Sequence, residues 1–311
     1  MSKRPALRAP FPYFGGKSRV AEEVWRRFGA AECSNYVEPF FGSGAVLFAR
    51  PIAPKVYSET VCDLSGNLTN FWRSVQRAPD EVLKRALVPM DHLELQARKR
   101  WQIDNTERVR ELAESVDYYD ARAAGYWLYG MCGSIGDGWA SDSVAGSIPS
   151  IGSYGRGLFS GAAPPSSEWL SQLAERLERT RIVCGDWKRV LGAGVTNIGL
   201  GERPCGIFLD PPYIEGSQQY EAGGTGSSLF HDVAAWAVQR SKEQPWCRIA
   251  LCGYDGHWSP PEGWATHSWK AKGGFGNTGN GPGRANASRE VIWFSPACLP
   301  GSAAEESQGA A

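Results

Sequence analysis

The stretch Gly206-Ile207-Phe208-Leu209-Asp210-Pro211-Pro212-Tyr213 decides the predicted fold class of this chain. An apolar run typical of a buried strand ends there at an acid, two prolines and an aromatic ring. Two consecutive prolines have a fixed φ and no backbone N–H, so they cannot continue a central strand. Asp210 is therefore predicted at the carboxyl end of a buried strand, which is the edge where open α/β sheets bind ligands. A capping acid in an ordinary proline-rich turn is the alternative interpretation.

The composition is typical of a soluble globular protein. At 311 residues the chain has room for one large α/β domain with an insertion, or for two small domains. Hydrophobic residues make up 42% of it, which is sufficient for a sizeable core. No stretch approaches the roughly 18 uninterrupted apolar residues of a membrane span, and no apolar signal-peptide run follows Met1. We therefore expect a cytoplasmic protein with no membrane partner.

The cysteines and the net charge restrict the classes of function further. The chain has eight cysteines and no Cys-x-x-Cys pair, so reduced, buried thiols are expected rather than disulfides or a zinc site. The formal net charge is +0, which weighs against a broad DNA-binding surface. A local basic cleft is still compatible with this charge, because phosphate contacts need only a few well-placed lysines and arginines.

Two glycine-containing turns lie near the start of the chain. The first, Pro12-Tyr13-Phe14-Gly15-Gly16-Lys17, precedes a predicted amphipathic helix. The second, Tyr36-Val37-Glu38-Pro39-Phe40-Phe41-Gly42-Ser43-Gly44, predicts a short strand, a tight turn and a helix. That order is the geometry of a nucleotide-type pocket at the first βα junction of a Rossmann-like sheet. The third glycine of the dinucleotide fingerprint is absent, and Glu38 favours a ligand with a cationic part, such as a sulfonium or an amino group.

Acids also end two further predicted strands. The strand at residues 56–63 ends in Asp63, about twenty residues past the second turn, where an acid commonly binds ribose hydroxyls. Capping of the next helix is the alternative role of Asp63. Ile182-Val183-Cys184-Gly185-Asp186-Trp187 is predicted as a strand that ends in an acid and an aromatic ring. Residues 248–255 and 289–294 are predicted as further strands, and the last of them is expected to close the sheet.

The pattern changes over residues 78–168. Helical stretches with a local concentration of lysine and arginine come first, followed by a segment rich in Gly and Ser over residues 130–165. The basic residues are interpreted either as a solvated helix face or as phosphate contacts. A long loop of this composition is expected to be functional or mobile, and to order on a partner.

Four of these segments, in this order, resemble the Dam-like, DNA adenine-specific class of S-adenosylmethionine-dependent methyltransferases, and the bacterial and phage members look most similar. The segments are Phe14-Gly-Gly-Lys17, Glu38-Pro-Phe-Phe-Gly-Ser-Gly44, Asp63 and Asp210-Pro-Pro-Tyr213. The similarity covers most of residues 11–298, and the joint set is specific although each piece alone is not. It implies an α/β fold, a Rossmann-like sheet with helices on both faces. The placement of the insertion resembles the α arrangement, in which the insertion carries target recognition.

The resemblance also implies a division of the chain. Residues 1–77 would form the first part of the methyltransferase domain, 78–168 the inserted, partly helical target-recognition region, and 169–299 the second part. Residues 300–311 are expected to be a disordered tail. The inserted segment shows no obvious match to the family's usual helical recognition unit, so the recognition sequence is left open.

Roles for individual residues follow from the same resemblance. The base would be held by Asp210, Pro211, Pro212 and Tyr213, and the cofactor's ribose and adenine by Asp63 and Asp186. The full set expected to bind S-adenosylmethionine and its product S-adenosylhomocysteine is Tyr13, Phe14, Gly15, Lys17, Glu38, Pro39, Phe40, Phe41, Gly42, Gly44, Asp63, Asp186 and Trp187. Candidate nucleic-acid contacts are Arg98, Lys99, Arg100, Arg156, Arg284 and Arg289. A salt bridge to Glu290 is the alternative for Arg289.

The chemistry of an exocyclic amine fits these residue types. The adenine amine is a poor nucleophile, and hydrogen bonds accepted from both its N–H groups, by the Asp210 carboxylate and the Pro211 carbonyl, would favour a more nucleophilic nitrogen. Such a base has to be flipped out of a duplex to reach the site. We therefore expect methylation of adenine N6 in double-stranded DNA, without a metal. Methylation of adenine in RNA, methylation of cytosine N4, and a catalytically silent nucleic-acid-binding protein on the same fold are the alternatives.

The expected partners and setting complete the prediction. Double-stranded DNA is the expected substrate, and a cognate restriction endonuclease of a restriction-modification system is a candidate partner. The protein is expected as a monomer or weak dimer, in a bacterial cell or a phage-infected host.

Overall fold

The computed structural model describes residues 7–13, 15–51, 58–115, 117–134, 139, 166–197, 203–212, 226–269 and 289–301. Within these residues seven strands form one sheet. The strands are β1 (Asn35–Glu38), β2 (Ser58–Asp63), β3 (Thr180–Cys184), β4 (Cys205–Leu209), β5 (Cys247–Tyr254), β6 (Ala265–Ser268) and β7 (Glu290–Phe294). Their order across the sheet is β3-β2-β1-β4-β5-β7-β6.

The sheet changes direction of winding between β1 and β4. The first five strands are parallel, and β7 runs antiparallel to both of its neighbours, β5 and β6. From β1 the chain adds strands on one side to β3, then crosses to β4 on the other side and continues to β5. A crevice therefore opens beyond the carboxyl ends of β1 and β4, at the switch point where open α/β sheets bind ligands.

Strand β4 has the properties that its sequence predicts. All five of its residues are buried, as in a central parallel strand that is covered on both faces. The strand ends at Leu209, and Asp210, Pro211 and Pro212 follow outside the sheet because neither proline can donate to a strand ladder. The predicted position of Asp210 at the carboxyl end of β4 is confirmed.

The helices surround this sheet. The described helices are α1 (Ala21–Phe28), α2 (Ala45–Phe48), α3 (Gly66–Arg77), α4 (Pro79–Ala86), α5 (His92–Ala113), α6 (Ala121–Gly133), α7 (Ser167–Leu177), α8 (Ala193–Thr196) and α9 (Gly226–Glu243). A 3₁₀ turn follows β3 at Trp187–Val190.

Two apolar cores lie on opposite faces of the sheet. The first contains side chains of α1, α2 and α3 together with those of α4, α6 and α7, for example Phe28, Phe71 and Trp127. The second is formed by α9 and the 3₁₀ turn against β4 and β5, with Phe230 and Val233 fully or almost fully buried. Apolar layers on both faces confirm the predicted Rossmann-like architecture.

Helices of residues 78–168, the segment predicted to be an insertion, pack directly against α3. The Asn70 side chain of α3 accepts from the Asp120 N–H at 2.7 Å and donates to the Asp120 carbonyl at 3.0 Å. The carboxylate of Asp120 in turn caps α6 by accepting from the N–H groups of Arg122 and Ala123. The insertion thus shares the first apolar core with the sheet.

Several boundaries differ from the prediction. Strand β7 does not close the sheet, because β6 lies outside it at the edge. Residues 265–268 were not predicted as a strand, since their polar sequence Ala-Thr-His-Ser is only half buried. Helix α6 extends to Gly133, inside the predicted loop 130–165. Of the rest of that loop only Ser134 and Trp139 are described, and the tail after residue 301 lies outside the described residues.

Candidate active site

A cavity of about 600 Å³ occupies the crevice beyond β1 and β4. It brings together residues that are far apart in sequence, from the start of the chain, from the ends of the four strands β1 to β4 and from the region between β2 and β3. The predicted residues that line it are Tyr13, Gly15, Lys17, Glu38, Pro39, Phe40, Phe41, Gly42, Asp63, Asp186, Trp187, Asp210 and Pro212. A volume of this size is in the range of sites for small molecules and cofactors, roughly 300–1,000 Å³.

The turn after β1 depends on two glycines. Gly42 and Gly44 have φ values of 49° and 66°, in the left-handed region that favours glycine. A Cβ at Gly42 would lie 2.8 Å from the Tyr13 ring, and one at Gly44 would lie 2.7 Å from the Phe41 ring. Gly42 therefore lets the turn pack closely against Tyr13, and Gly44 gives the backbone the left-handed conformation from which α2 begins.

Glu38 ends β1 and is almost completely buried. Its carboxylate accepts a hydrogen bond of 2.9 Å from the Tyr36 hydroxyl. Burial raises the pKa of Glu38 well above its usual value, the Tyr36 hydroxyl opposes the rise, and the nearby Asp210 charge adds to it. A cationic ligand group in the cavity would lower that pKa again, which agrees with the sequence argument for a ligand that carries positive charge.

Asp63 connects the two turns at the ends of β1 and β2. Its Oδ2 accepts from the Gly42 N–H at 3.0 Å, and its Oδ1 accepts from the Ser65 N–H at 3.0 Å. The hydroxyl that caps α3 is that of Ser65, which accepts from the Leu68 N–H. Asp63 therefore does not cap α3 itself, but its hydrogen bond to the Ser65 N–H orders the turn before that helix. The ribose role stays a prediction.

The third strand delivers an acid and a ring to the other end of the cavity. Trp187 is buried and stacks on Phe40, with ring centroids 6.2 Å apart and planes inclined by 27°. Asp186 is exposed at the cavity, and its Oδ1 accepts from the Lys188 N–H at 2.9 Å. An aromatic wall next to a carboxylate suits a planar base with an exocyclic amine.

Lys17 joins the first turn of the chain to the end of β4. Its buried ammonium donates to the Gly15 carbonyl at 2.9 Å and lies 2.9 Å from Asp210 Oδ2. Asp210 Oδ1 is buried and has no hydrogen-bond partner among the described residues. Burial raises the pKa of Asp210, while the Lys17 ammonium and the Cys252 thiol oppose the rise. Lys17 thus fixes the carboxylate through Oδ2, and Oδ1 has no hydrogen-bond partner in the part of the chain that the structure describes.

The sequence analysis did not identify Glu290 as part of this site. It is the first residue of β7, and its Oε2 lies 3.8 Å from Lys17 Nζ. Because β7 is antiparallel, its first residue lies at the same edge where the parallel strands end. An antiparallel assignment of β7 would therefore have pointed to Glu290. The alternative predicted for Arg289, a salt bridge to Glu290, does not form, since Arg289 donates to the Asp255 carbonyl at 3.2 Å.

The insertion contributes a wall of the cavity that was also not predicted. Arg110 of α5, Trp127 and Met131 of α6, and Trp139 line it. On the opposite side, α9 contributes Ser228, Leu229 and Asp232. Sequence reasoning missed these residues because none of them belongs to a motif and their positions depend on how the helices pack.

Two predicted nucleic-acid contacts are wrong. Arg98 is buried, pairs with Glu94 and lies over the ring of Tyr129, with 4.3 Å from its guanidinium carbon to the ring centroid. Lys99 is buried as well and donates to the Trp139 carbonyl. Both cations are used inside the helical layer, so they are not available to a phosphate. Arg100 and Arg289 are exposed.

Some predicted site residues have other positions. Gly44 and Pro211 do not line the cavity, although each is adjacent in sequence to residues that do. The remaining predictions fall on residues outside those that the structure describes: Phe14, Arg156, Tyr213 and Arg284.

The described residues also bear on metals, thiols and membranes. They contain no group of three or more His, Cys, Asp or Glu side chains that could hold a metal ion. All eight cysteines are free thiols, and six of them are buried. No described helix combines the length and the apolar character that a membrane crossing requires.

Comparison with known families adds to this geometry. The sheet and its helices are consistent with a Rossmann-like methyltransferase fold. Residues 13–129 match the model of the D12 class N6 adenine-specific DNA methyltransferase family. No curated protein matches the chain significantly.

This match confirms the resemblance to the Dam-like adenine methyltransferases. It includes the first turn, the glycine turn after β1, and Asp63. It also continues through α4 and α5 into α6, so these helices follow the family's pattern although they contain no recognisable motif. The match ends before β4. The assignment of Asp210 therefore depends on its own sequence motif and on its position in the cavity.

Proposed function

We propose that this protein is a DNA adenine-N6 methyltransferase that uses S-adenosylmethionine. The observation that carries the proposal is the position of Asp210 at the switch point. Its carboxylate is fixed by Lys17 and has one buried oxygen that lacks a hydrogen-bond partner within the described part of the chain. A buried acceptor of this kind is costly unless a ligand supplies the donor. The family match of residues 13–129 supports adenine in DNA as that ligand.

The residues present fit the proposed methyl donor. Glu38 lies at the end of β1, where its buried carboxylate favours the cationic methionine end. Asp63 would accept from the ribose hydroxyls in addition to the Gly42 and Ser65 N–H groups, since each carboxylate oxygen can accept more than one hydrogen bond. Asp186 and the ring pair of Phe40 and Trp187 would hold the adenine. When bound, S-adenosylmethionine supplies a methyl group activated by its sulfonium.

Asp210 would present the target amine to that methyl group. The amine donates one N–H to Asp210 Oδ1, and the Pro211 carbonyl is proposed to accept the other. The donor, held by Glu38, Asp63 and Asp186, would supply its methyl group to this nitrogen, and the electron pair of the broken S–C bond would stay with sulfur. The nitrogen then gives up one proton, for which the Asp210 carboxylate is the nearest proposed acceptor. The acceptors are fixed before the reaction, so they need little reorganisation.

The base would enter from a duplex by flipping. The cavity lies within the fold between the sheet edge and the insertion, and a base that is stacked in a helix cannot reach it. Tyr213 is proposed to stack on the flipped base. Of the predicted phosphate contacts that the structure describes, Arg100 and Arg289 are exposed, and these two are proposed to contact phosphates. The helices that line the cavity with Trp127 and Arg110 belong to the region proposed to read the target sequence.

The test is incubation of the full chain with methyl-labelled S-adenosylmethionine and a panel of duplex DNA, single-stranded DNA and RNA, followed by nucleoside analysis. The expected product is labelled N6-methyladenine in duplex DNA. Label in RNA adenine or in cytosine N4 would contradict the proposed substrate. Binding of nucleic acid and S-adenosylmethionine without any transfer of label would contradict the proposed activity.

A further inference from the structure

Glu290 lies behind the pair formed by Lys17 and Asp210. Its Oε2 is 3.8 Å from Lys17 Nζ, while Asp210 Oδ2 is 2.9 Å from the same nitrogen. Lys17 and Asp210 line the cavity, and Glu290 is absent from the described residues that line it. Any effect of Glu290 on a ligand in the cavity is therefore transmitted through its neighbours.

The backbone holds Glu290 in this place. It pairs with Tyr254, the last residue of β5, and its carbonyl accepts from the Trp269 N–H at 3.2 Å. The residue is 9% exposed, and its Oε2 is buried without a hydrogen-bond partner among the described residues. Such an atom costs stability, and costs of this kind are expected at functional sites.

The charges of the cluster do not balance. One ammonium, that of Lys17, faces two carboxylates. Burial raises the pKa of Glu290, Lys17 opposes the rise and the Asp210 charge adds to it. Other titratable groups that face the cluster are the Glu38 carboxylate of β1, to whose raised pKa the Asp210 charge adds, and the Cys252 thiol of β5 beside Asp210. The Tyr254 hydroxyl of β5 also faces it, and burial and the Glu290 charge raise its pKa to about 12.

We propose that Glu290 is a positioning residue for methyl transfer, because it holds the Lys17 ammonium between two carboxylates and so keeps Asp210 a strong acceptor. This inference rests on the proposed function. A carboxylate that shares its lysine with a second carboxylate keeps more of its negative charge for a third partner. Without Glu290, the whole ammonium charge falls on Asp210, and Lys17 loses one of its two anionic neighbours.

The first test is Glu290→Gln in the full chain, which keeps the size of the side chain and removes its charge. We expect kcat to fall by ~10-fold, with the KM for DNA and the Kd for S-adenosylmethionine changed by less than ~2-fold, because the interaction matters in the transition state. Glu290→Asp keeps the charge and should recover part of kcat. Glu59→Gln is the matched control, since Glu59 is a buried, ion-paired carboxylate of the same sheet that does not line the cavity.

The second test needs no activity. The rate at which acetic anhydride acylates Lys17, measured by mass spectrometry, should rise several-fold in Glu290→Gln and stay unchanged in folded Glu59→Gln. If the wild type transfers no methyl group, the proposed function fails, and the acylation rate still decides whether Glu290 holds Lys17. An unchanged acylation rate, or an unchanged kcat in an active enzyme, would overturn the proposal. If Glu290→Gln does not fold, the same two measurements on Glu290→Asp decide it, with smaller changes expected in the same directions.

Discussion

Two buried ion clusters lie at opposite ends of the sheet, and they differ in how well their charges are matched. At the amino end of β2, Glu59 accepts from Arg50 at 2.9 Å, from Arg176 at 2.6 and 2.8 Å and from Thr180 at 3.2 Å. At the carboxyl ends of β4 and β5, Lys17 faces Asp210 and Glu290, and each of these carboxylates has a buried oxygen without a hydrogen-bond partner among the described residues.

The carboxylates of the two clusters also titrate in opposite directions. Burial alone would raise the pKa of Glu59, but the hydrogen bonds and charges of Arg176 and Arg50 outweigh it and lower the pKa. Burial prevails at Asp210 and Glu290, and it raises the pKa of both. A carboxylate with all its partners inside the protein stabilises the fold, whereas one that lacks a partner beside a cavity is available to a ligand.

The largest effect is expected for Asp210→Ala. Removing the fixed acceptor should reduce methyl transfer by at least ~10²–10³-fold, the scale of losing one preorganised hydrogen-bonding group. The Kd for S-adenosylmethionine should stay nearly the same, because Asp210 is proposed to contact the base. Turnover is measured with labelled S-adenosylmethionine and the Kd by calorimetry. Unchanged turnover would show that Asp210 is not catalytic, and the cluster of Lys17, Asp210 and Glu290 would then have no assigned function.

The second effect concerns stability. Glu59→Gln leaves Arg50 and Arg176 without their buried counter-charge, so the free energy of unfolding should fall by ~3 kcal/mol. Denaturant unfolding measures this change. The kcat of the folded variant should equal that of the wild type. A variant that unfolds normally but transfers methyl groups slowly would show that Glu59 is not a purely structural acid.

The third prediction compares the two ends of one strand, since β2 begins near Glu59 and ends at Asp63. Asp63→Ala should raise the Kd for S-adenosylmethionine by ~10–100-fold, the scale of losing one hydrogen bond to a charged group. Asp63→Asn, which keeps one oxygen acceptor for the turns, should show a smaller rise. Calorimetric titration measures both values, and circular dichroism checks the fold. The same Kd in wild type and Asp63→Ala would refute the ribose role.

The smallest effect is a difference in pH dependence. The folded pKa of Glu38 is raised, so the folded state keeps a proton that the unfolded chain loses, and Glu38 costs stability as pH rises above its unfolded pKa. The stability of Glu38→Gln relative to the wild type should therefore increase with rising pH. The increase is ~1.4 kcal/mol for each pH unit between the unfolded and the folded pKa of Glu38.

The folded pKa of Glu59 is lowered, so its contribution is present above the unfolded pKa and is lost as pH falls. The deficit of Glu59→Gln should accordingly shrink below about pH 4, near the unfolded value for Glu. Melting temperatures of the wild type and both variants over pH 3 to 8 measure the two slopes. Slopes of the same sign would contradict the opposite roles of the two acids.

The motif residues near strand ends were the predictable part of the site. Proline chemistry places Asp210 outside β4, and the paired glycines allow the turn at Gly42, so both positions follow from local rules. The burial of Arg98 and Lys99 follows from a different rule. They lie one turn of helix after the buried Leu95, so the helical period, and not the density of charge, decides which way they face.

Other parts of the site depend on tertiary structure. Glu290 approaches Lys17 because β7 runs antiparallel beside β5, and a single strand pattern does not show its direction. The cavity wall at Trp127 and Arg110 depends on how α5 and α6 pack against α3. Strand β6 contains too few apolar residues to be recognised from the sequence. It forms because it pairs with β7.

Methyl transfer by matched variants tests the central claim most directly. Wild type, Asp210→Ala and Glu59→Gln, each shown to be folded, are incubated with labelled S-adenosylmethionine and duplex DNA, and the nucleosides are analysed. The expected result is N6-methyladenine formed by the wild type and by Glu59→Gln at equal rates, and formed by Asp210→Ala at a rate at least ~10²-fold lower. Equal rates for all three proteins, or no N6-methyladenine from the wild type, would contradict the assignment of the Lys17 and Asp210 cluster as the catalytic site.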